Sequence, residues 1–350
     1  MGKTICRGAS FLLGLLLCVP GGWAKERPPV GMLAVSAGEV VVLADPTTGL
    51  SESIPVGPVA WLFPAPGGIL FAPDLVNGRT TVVNLRTAGV EEVLDGVTMP
   101  HFGTMTDRYV VVGGNVLVMS YPERALIDRF DLEIDHPWQV AVLAGNSVLM
   151  VLERRPDGRG GTALAALNLG GGELVYRRPL SGDVRHMAFS PPLGVMALAE
   201  ASSNRVFLVD PGTLAPAAVY EVPGVPVDLV FADGGTTLVV ALARDDGRGE
   251  LVMWRIKAGK EGLERKKEWI VELGGEPVRM AVSPDLRHVA VGLSSASLQV
   301  VEVANQQPGA TVKLPAAPRD VVWCDPAAEG PLVPKWSDEE APQLDLGGVR

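Results

Sequence analysis

Six polar residues recur at one place in a repeated pattern: His101, Gln139, His186, Asp228, Arg279 and Asp320. Each opens a short apolar run, as in MPHFGTMTD, PWQVAVLAG, VRHMAFSPP, PVDLVFADG, PVRMAVSPD and PRDVVWCDP, and Ala60 of PVAWLFPAP holds the same place. If these runs are the innermost strands of a ring, the six side chains converge near one mouth of a central channel. Three of the four histidines, His101, His136 and His186, fall in or near that register, and a Zn or Cu site needs such convergence. General acid–base work could be built from His101, His186 and Asp228. Nothing in the spacing separates either chemistry from ion pairing across a polar channel, to which Arg319, Asp183 and Arg185 would add charges of both signs. The reading taken is contact with a protein or small ligand at a polar mouth, with no metal and no catalytic residue assigned. As rim positions, His101 and His186 are expected to contribute little to stability. His288 falls in a second run and reads as structural.

The chain lacks Cys-x-x-Cys-His, Gly-x-Ser-x-Gly, a phosphate loop and His-Glu-x-x-His, which removes covalent haem and leaves no cofactor to assign. A formal net charge of -10 argues against nucleic acid as a partner, because phosphate contact needs a basic surface.

The elements that would position these residues are short. In EPVRMAVSPDLRHVAVGLSSASLQVVEVANQQPGATVKLPAAP, from Glu276 to Pro318, four β-rich runs alternate with turn clusters, the pattern of a four-stranded antiparallel meander. The anchors repeat about every forty to fifty residues, a spacing that suits propeller blades. With 41 Gly and 29 Pro in 350 residues, turns must be frequent. Asn77-Gly78 and Gly114-Asn115 supply the positive φ of tight hairpins. Lys257 to Lys267, charged and of helical character, reads as an extended hairpin or a short surface helix.

The two ends are complementary. Residues 30–56 hold three runs, Met32 to Ser36, Val40 to Ala44 and Ser51 to Val56, and lack an innermost one. PRDVVWCDP at Pro318 to Pro326 is an innermost run with nothing after it. One strand completing the other set gives an all-β ring of seven blades over residues 25–326, without an open edge.

Lys3 and Arg7, the apolar run Phe11 to Val19 and Gly22-Trp23-Ala24 form an export signal over residues 1–24. That run is too short to span a bilayer, so no membrane span is expected after cleavage. The mature chain is then periplasmic or secreted, and Cys324 is its one cysteine, read as a small buried hydrophobe. Residues 327–350 are acidic, Pro-rich and aperiodic, the composition of a disordered tail.

The unit PVRMAVSPDLRHVAVGLSSASLQVVEVA resembles the YVTN-type propeller repeat, in which a Pro-led strand precedes a Ser-Pro-Asp turn, an apolar strand and a Val-x-Val-x-Val/Ile-Asp strand. NRVFLVDPGTLAPAAVYEVPG is similar to the second half of that repeat. The resemblance covers roughly Val30 to Asp325 and is strongest in the fifth and seventh units. It implies a seven-bladed fold in a wider group that spans WD-repeat-like propellers, quinoprotein amine dehydrogenase heavy chains, sugar lactonases and exported binding propellers. WD-repeat propellers are less similar, because no Gly-His or Trp-Asp pair falls in register. The functional expectation is an exported, non-enzymatic propeller; the alternative is a propeller subunit of a periplasmic enzyme or electron-transfer complex, quinoprotein-like or lactonase-like.

Overall fold

A computed structural model describes residues 31–325 except 60, 66, 75, 96–100, 105–107, 113–115, 121–125, 131–133, 135–136, 144–147, 155–160 and 260–261. The expected signal at residues 1–24 and the expected tail at residues 327–350 lie outside the described residues, as does His136.

The described strands form seven four-stranded antiparallel sheets. The first holds β1 (Met32–Ala37), β2 (Val40–Ala44) and β3 (Ser51–Pro55), and the second β4 (Phe63–Ala65), β5 (Ile69–Asp74), β6 (Arg79–Asn84) and β7 (Gly89–Asp95). The third holds β8 (His101–Thr104), β9 (Arg108–Val112), β10 (Val116–Ser120) and β11 (Leu126–Phe130), and the fourth β12 (Pro137–Leu143), β13 (Val148–Arg154), β14 (Thr162–Asn168) and β15 (Glu173–Leu180). The fifth holds β16 (Val184–Ser190), β17 (Val195–Glu200), β18 (Arg205–Val209) and β19 (Pro216–Glu221). The sixth holds β20 (Val225–Ala232), β21 (Thr237–Ala243), β22 (Gly249–Gly259) and β23 (Gly262–Leu273), and the seventh β24 (Pro277–Val282), β25 (His288–Leu293), β26 (Ser297–Glu302) and β27 (Gln307–Lys313). The last strand, β28 (Pro318–Cys324), joins the first sheet beside β1, with Met32 opposite Cys324 and Val35 opposite Val321.

The innermost strands touch in series, β28 with β4, β4 with β8, and so on through β12, β16, β20 and β24 back to β28. This ring of radial sheets is a β-propeller. Burial follows from it. The second strands β17 and β25 are buried at every residue, because each sheet is covered on both faces by its neighbours. Their sequences, VMALAE and HVAVGL, are therefore near-continuous apolar runs rather than alternating ones. The outer strand β3 is exposed at all but one of its five residues. The core lies between sheets: Leu33, Val35 and Trp323 of the first meet Ala290 and Leu298 of the seventh, and Leu208 of the fifth meets Leu229 and Trp254 of the sixth.

Of the two readings of Lys257 to Lys267, hairpin or short surface helix, the hairpin is found: it is the distal part of β22 and β23, with Lys257 paired to Glu264. One local expectation changes. The innermost strand expected across Pro58 to Pro66 is reduced to the three residues of β4, since Pro58 and Pro64 withhold the backbone donors that a longer ladder needs.

Candidate functional site

One backbone device sets the site. In β12, β16, β20 and β24 the pairing register with the second strand shifts between the first anchor residue and the residue two later: Pro137/Gln139, Val184/His186, Pro226/Asp228 and Pro277/Arg279. In β28 the partners jump in the same way from Pro318 to Asp320. Each is a β-bulge, which bends a strand and re-aims the side chain beside it. Four of the five anchors are prolines, whose missing N–H suits a place where the ladder breaks.

The bulges deliver Gln139, His186, Asp228, Arg279 and Asp320 to one cavity of about 340 Å³. His101 lies in β8 in the same register; its side chain is outside the described structure. Trp61, Trp138 and Trp323 complete the walls. The Trp61 and Trp138 rings meet edge to face at 5.9 Å, and the indole N–H of Trp138 donates to the Arg185 carbonyl at 2.8 Å. Arg154 stacks on Trp138 at 4.8 Å while it and Arg185 share the Asp183 carboxylate, at 2.8 and 2.9 Å. Burial raises the Asp183 carboxyl, but these two guanidiniums hold it below the ordinary value.

The polar side chains tie each innermost strand to the next. The Gln139 amide accepts from Met187 N at 2.8 Å and donates to Met187 O at 2.9 Å. His186 Nδ1 donates to Asp228 Oδ1 at 2.9 Å. Asp228 also accepts from the N–H groups of Leu229 at 2.7 Å and Met280 at 2.8 Å. Arg279 Nε lies 3.8 Å from Asp320 Oδ1, and Asp320 accepts from Val321 N at 3.0 Å and Leu62 N at 2.7 Å. A belt of polar contacts thus runs from β12 through β16, β20, β24 and β28 to the segment before β4.

Burial fixes the charges. His186 is 7% exposed, and desolvation, with Arg279 and Arg154 nearby, pushes its imidazole below the ordinary value against the pull of Asp228. The ring is therefore neutral at pH 7, with its proton on Nδ1 facing the carboxylate; among the described residues the buried Nε2 has no hydrogen-bond partner. Burial also raises the Asp228 carboxyl, but His186, Arg279 and the Met280 N–H together take it below the usual range. Asp320 goes the other way: burial, with the nearby Asp228 charge, lifts it to about 6 although Arg279 opposes the rise. His186 is thus a buried link in the belt and not a rim residue of little energetic weight. His288 is buried beside the Ser283-Pro284-Asp285 turn, where its N–H donates to Ser283 Oγ at 2.9 Å. Among the described residues no group of three or more His, Cys, Asp or Glu side chains is placed to hold a metal ion.

No family model matches the sequence, and no curated protein matches it. Solved structures are similar in shape. A chain of the mitotic checkpoint complex aligns at TM-score 0.63 and 13% identity, over 84% of this chain and 99% of that one. Hydrazine synthase of Kuenenia stuttgartiensis aligns at TM-score 0.60 and 14% identity, over 75% and 89%. The β-propeller domain of Cps50 (Swd1) from Myceliophteria thermophila aligns at 0.58 and 11%, over 77% and 91%. The fold is a β-propeller. Identities this low carry the architecture and no activity. Nor is any described helix long and apolar enough to cross a membrane.

The indoles are what sequence reasoning missed. Trp61 directly follows the Ala60 position and Trp138 directly precedes Gln139. In a chain with seven Trp, two flanking one register position were a usable signal.

Proposed function

We propose that the chain is an exported, non-enzymatic propeller of seven YVTN-type blades that takes a small ligand at the mouth of its central channel. The observation that carries this reading is the cavity itself: about 340 Å³, walled by indoles, with polar side chains at fixed positions on five innermost strands. That volume is at the small end of ordinary ligand pockets, and apolar walls with a few convergent polar groups are what such pockets share. Side chains placed by strands and locked by backbone hydrogen bonds make a preorganised site. The acidic chain and its export signal support a small molecule met outside the cytoplasm rather than a nucleic acid.

Tryptophan fluorescence and thermal shift across a panel of small organic compounds test the reading. A saturable change in indole emission, lost in Trp138→Phe, is the expected result. If no compound stabilises the protein, and envelope extracts instead yield a stoichiometric protein partner whose footprint avoids the channel mouth, the small-ligand reading is wrong and an outer face is the binding surface.

A further inference from the structure

Among the described residues Arg279 has no hydrogen-bond acceptor. Its side chain is 13% exposed and lines the cavity, and its ionic partner among them, Asp320 Oδ1, stands 3.8 Å away, too far for a hydrogen bond. Both Asp320 oxygens already accept backbone N–H groups, from Leu62 and Val321. The Arg279 guanidinium carbon lies 6.0 Å from the centre of the Trp138 ring, which can attract it but cannot accept a hydrogen bond in the guanidinium plane. A half-buried guanidinium that lines the cavity without a protein acceptor can take a charged one from a ligand.

His186 in the same wall is closed to a ligand: it is 7% exposed, its Nδ1 proton is committed to Asp228, and its Nε2, without a partner among the described residues, is fully buried. Arg279 and His186 flank Asp228 on either side: one precedes the Met280 N–H that Asp228 accepts, the other donates to it directly.

Resting on the small-ligand reading above, we propose that the ligand is a small organic carboxylate, its carboxylate set against the Arg279 fork. A guanidinium and a carboxylate match in a planar, two-pronged contact. The same cavity sets the carboxylates of Asp228 and Asp320 against that one cation, so a monoanion is repelled less there than a phosphate dianion. The indoles Trp61 and Trp138 offer their surfaces to the carbon body.

Calorimetric titration of the purified full-length protein at pH 7 tests this with matched compounds. These are organic acids from lactate to gluconate, mandelate and phenylacetate, the amides of the same acids, and inorganic phosphate. At least one organic acid is expected to bind saturably, with its amide at least 100-fold weaker. Arg279→Gln is expected to lose acid binding with an unchanged circular dichroism spectrum, and Arg279→Lys to recover part of it. If acids and amides bind alike and Arg279→Gln binds normally, the anionic assignment is overturned while the channel-mouth reading stands. Phosphate binding as tightly as the organic acids overturns the organic class. Failure of every compound, charged or neutral, overturns both.

Discussion

Cutting the chain after Pro318 tests the closure of the ring. This removes β28 beyond its first residue and leaves β1 as the inner edge of a three-stranded sheet. Three losses follow from the contacts. Val321 and Trp323, 2% and 4% exposed, leave the cluster they form with Leu33, Val35, Ala290 and Leu298. Burial of two such side chains contributes roughly 3–6 kcal/mol. Cys324, fully buried, leaves a hole beside Leu70 and Ala72 of β5. Asp320 takes away the acceptor of Leu62 N, and Trp323 the indole N–H bonded to Ala281 O at 3.0 Å. Each such bond contributes about 1 kcal/mol, more where an ionised group is involved. The total rivals the 5–15 kcal/mol that typically holds a domain folded, so the shortened protein should be unfolded or aggregated at 25 °C. An uncovered inner edge worsens the aggregation. A second chain ending at Pro326 keeps the whole of β28 and should unfold in urea like the full-length protein. Trp323→Ala, which keeps the ladder and removes one side chain, should cost about 3–5 kcal/mol. Soluble yield, circular dichroism and urea midpoints of the three proteins decide the matter. If the chain ending at Pro318 unfolds at the same midpoint as the one ending at Pro326, β28 does not hold the ring shut.

Further outcomes follow from the belt and from the chain's start. His186→Ala should cost about 1–3 kcal/mol, because Asp228 stays buried after losing a donor; an unchanged urea midpoint would refute the belt's structural role. Asp320 has its folded-state carboxyl raised from 3.8 to about 6, so the stability it contributes is complete below pH 3.8 and lost as pH rises to about 6. The gap between wild type and Asp320→Asn should therefore shift in the variant's favour by about 3 kcal/mol at most between pH 4 and 7, and a pH-independent gap contradicts the raised carboxyl. N-terminal sequencing of the exported protein should begin at Lys25, and an intact Met1 on cytoplasmic protein would remove the export assignment.

The repeat was legible because a blade is a local object. Strand, turn and hairpin signals lie within about forty residues, and two-sided burial writes continuous apolar runs such as TLVVALA into the second strands. The completion of the first sheet was legible for a topological reason: three runs without an inner partner at one end, one inner run without a sheet at the other. The bulges were not legible. A register shift between Pro226 and Asp228 depends on how β20 lies against β21, and no residue type announces it apart from the proline. Depth was also hidden. The sequence places His186 at a strand's start, where a polar residue reads as solvated; only the neighbouring strand β20 reveals that Asp228 covers it.

That hidden depth explains why one set of residues serves two ends. A polar side chain inside a ring of apolar sheets must be hydrogen-bonded, and the nearest donors are backbone N–H groups of the next innermost strand. Asp228 and Asp320 take this solution, each accepting from the strand or segment that follows, and Gln139 does so with both ends of its amide. The same bonds that join sheet to sheet stop these side chains from turning. Once the carboxylates and the amide are satisfied by backbone, the guanidinium between them is not: among the described residues its nearest carboxylate oxygen stands at 3.8 Å. The belt is thus rigid where it joins sheet to sheet, and it leaves one cation at the cavity wall without an acceptor of its own.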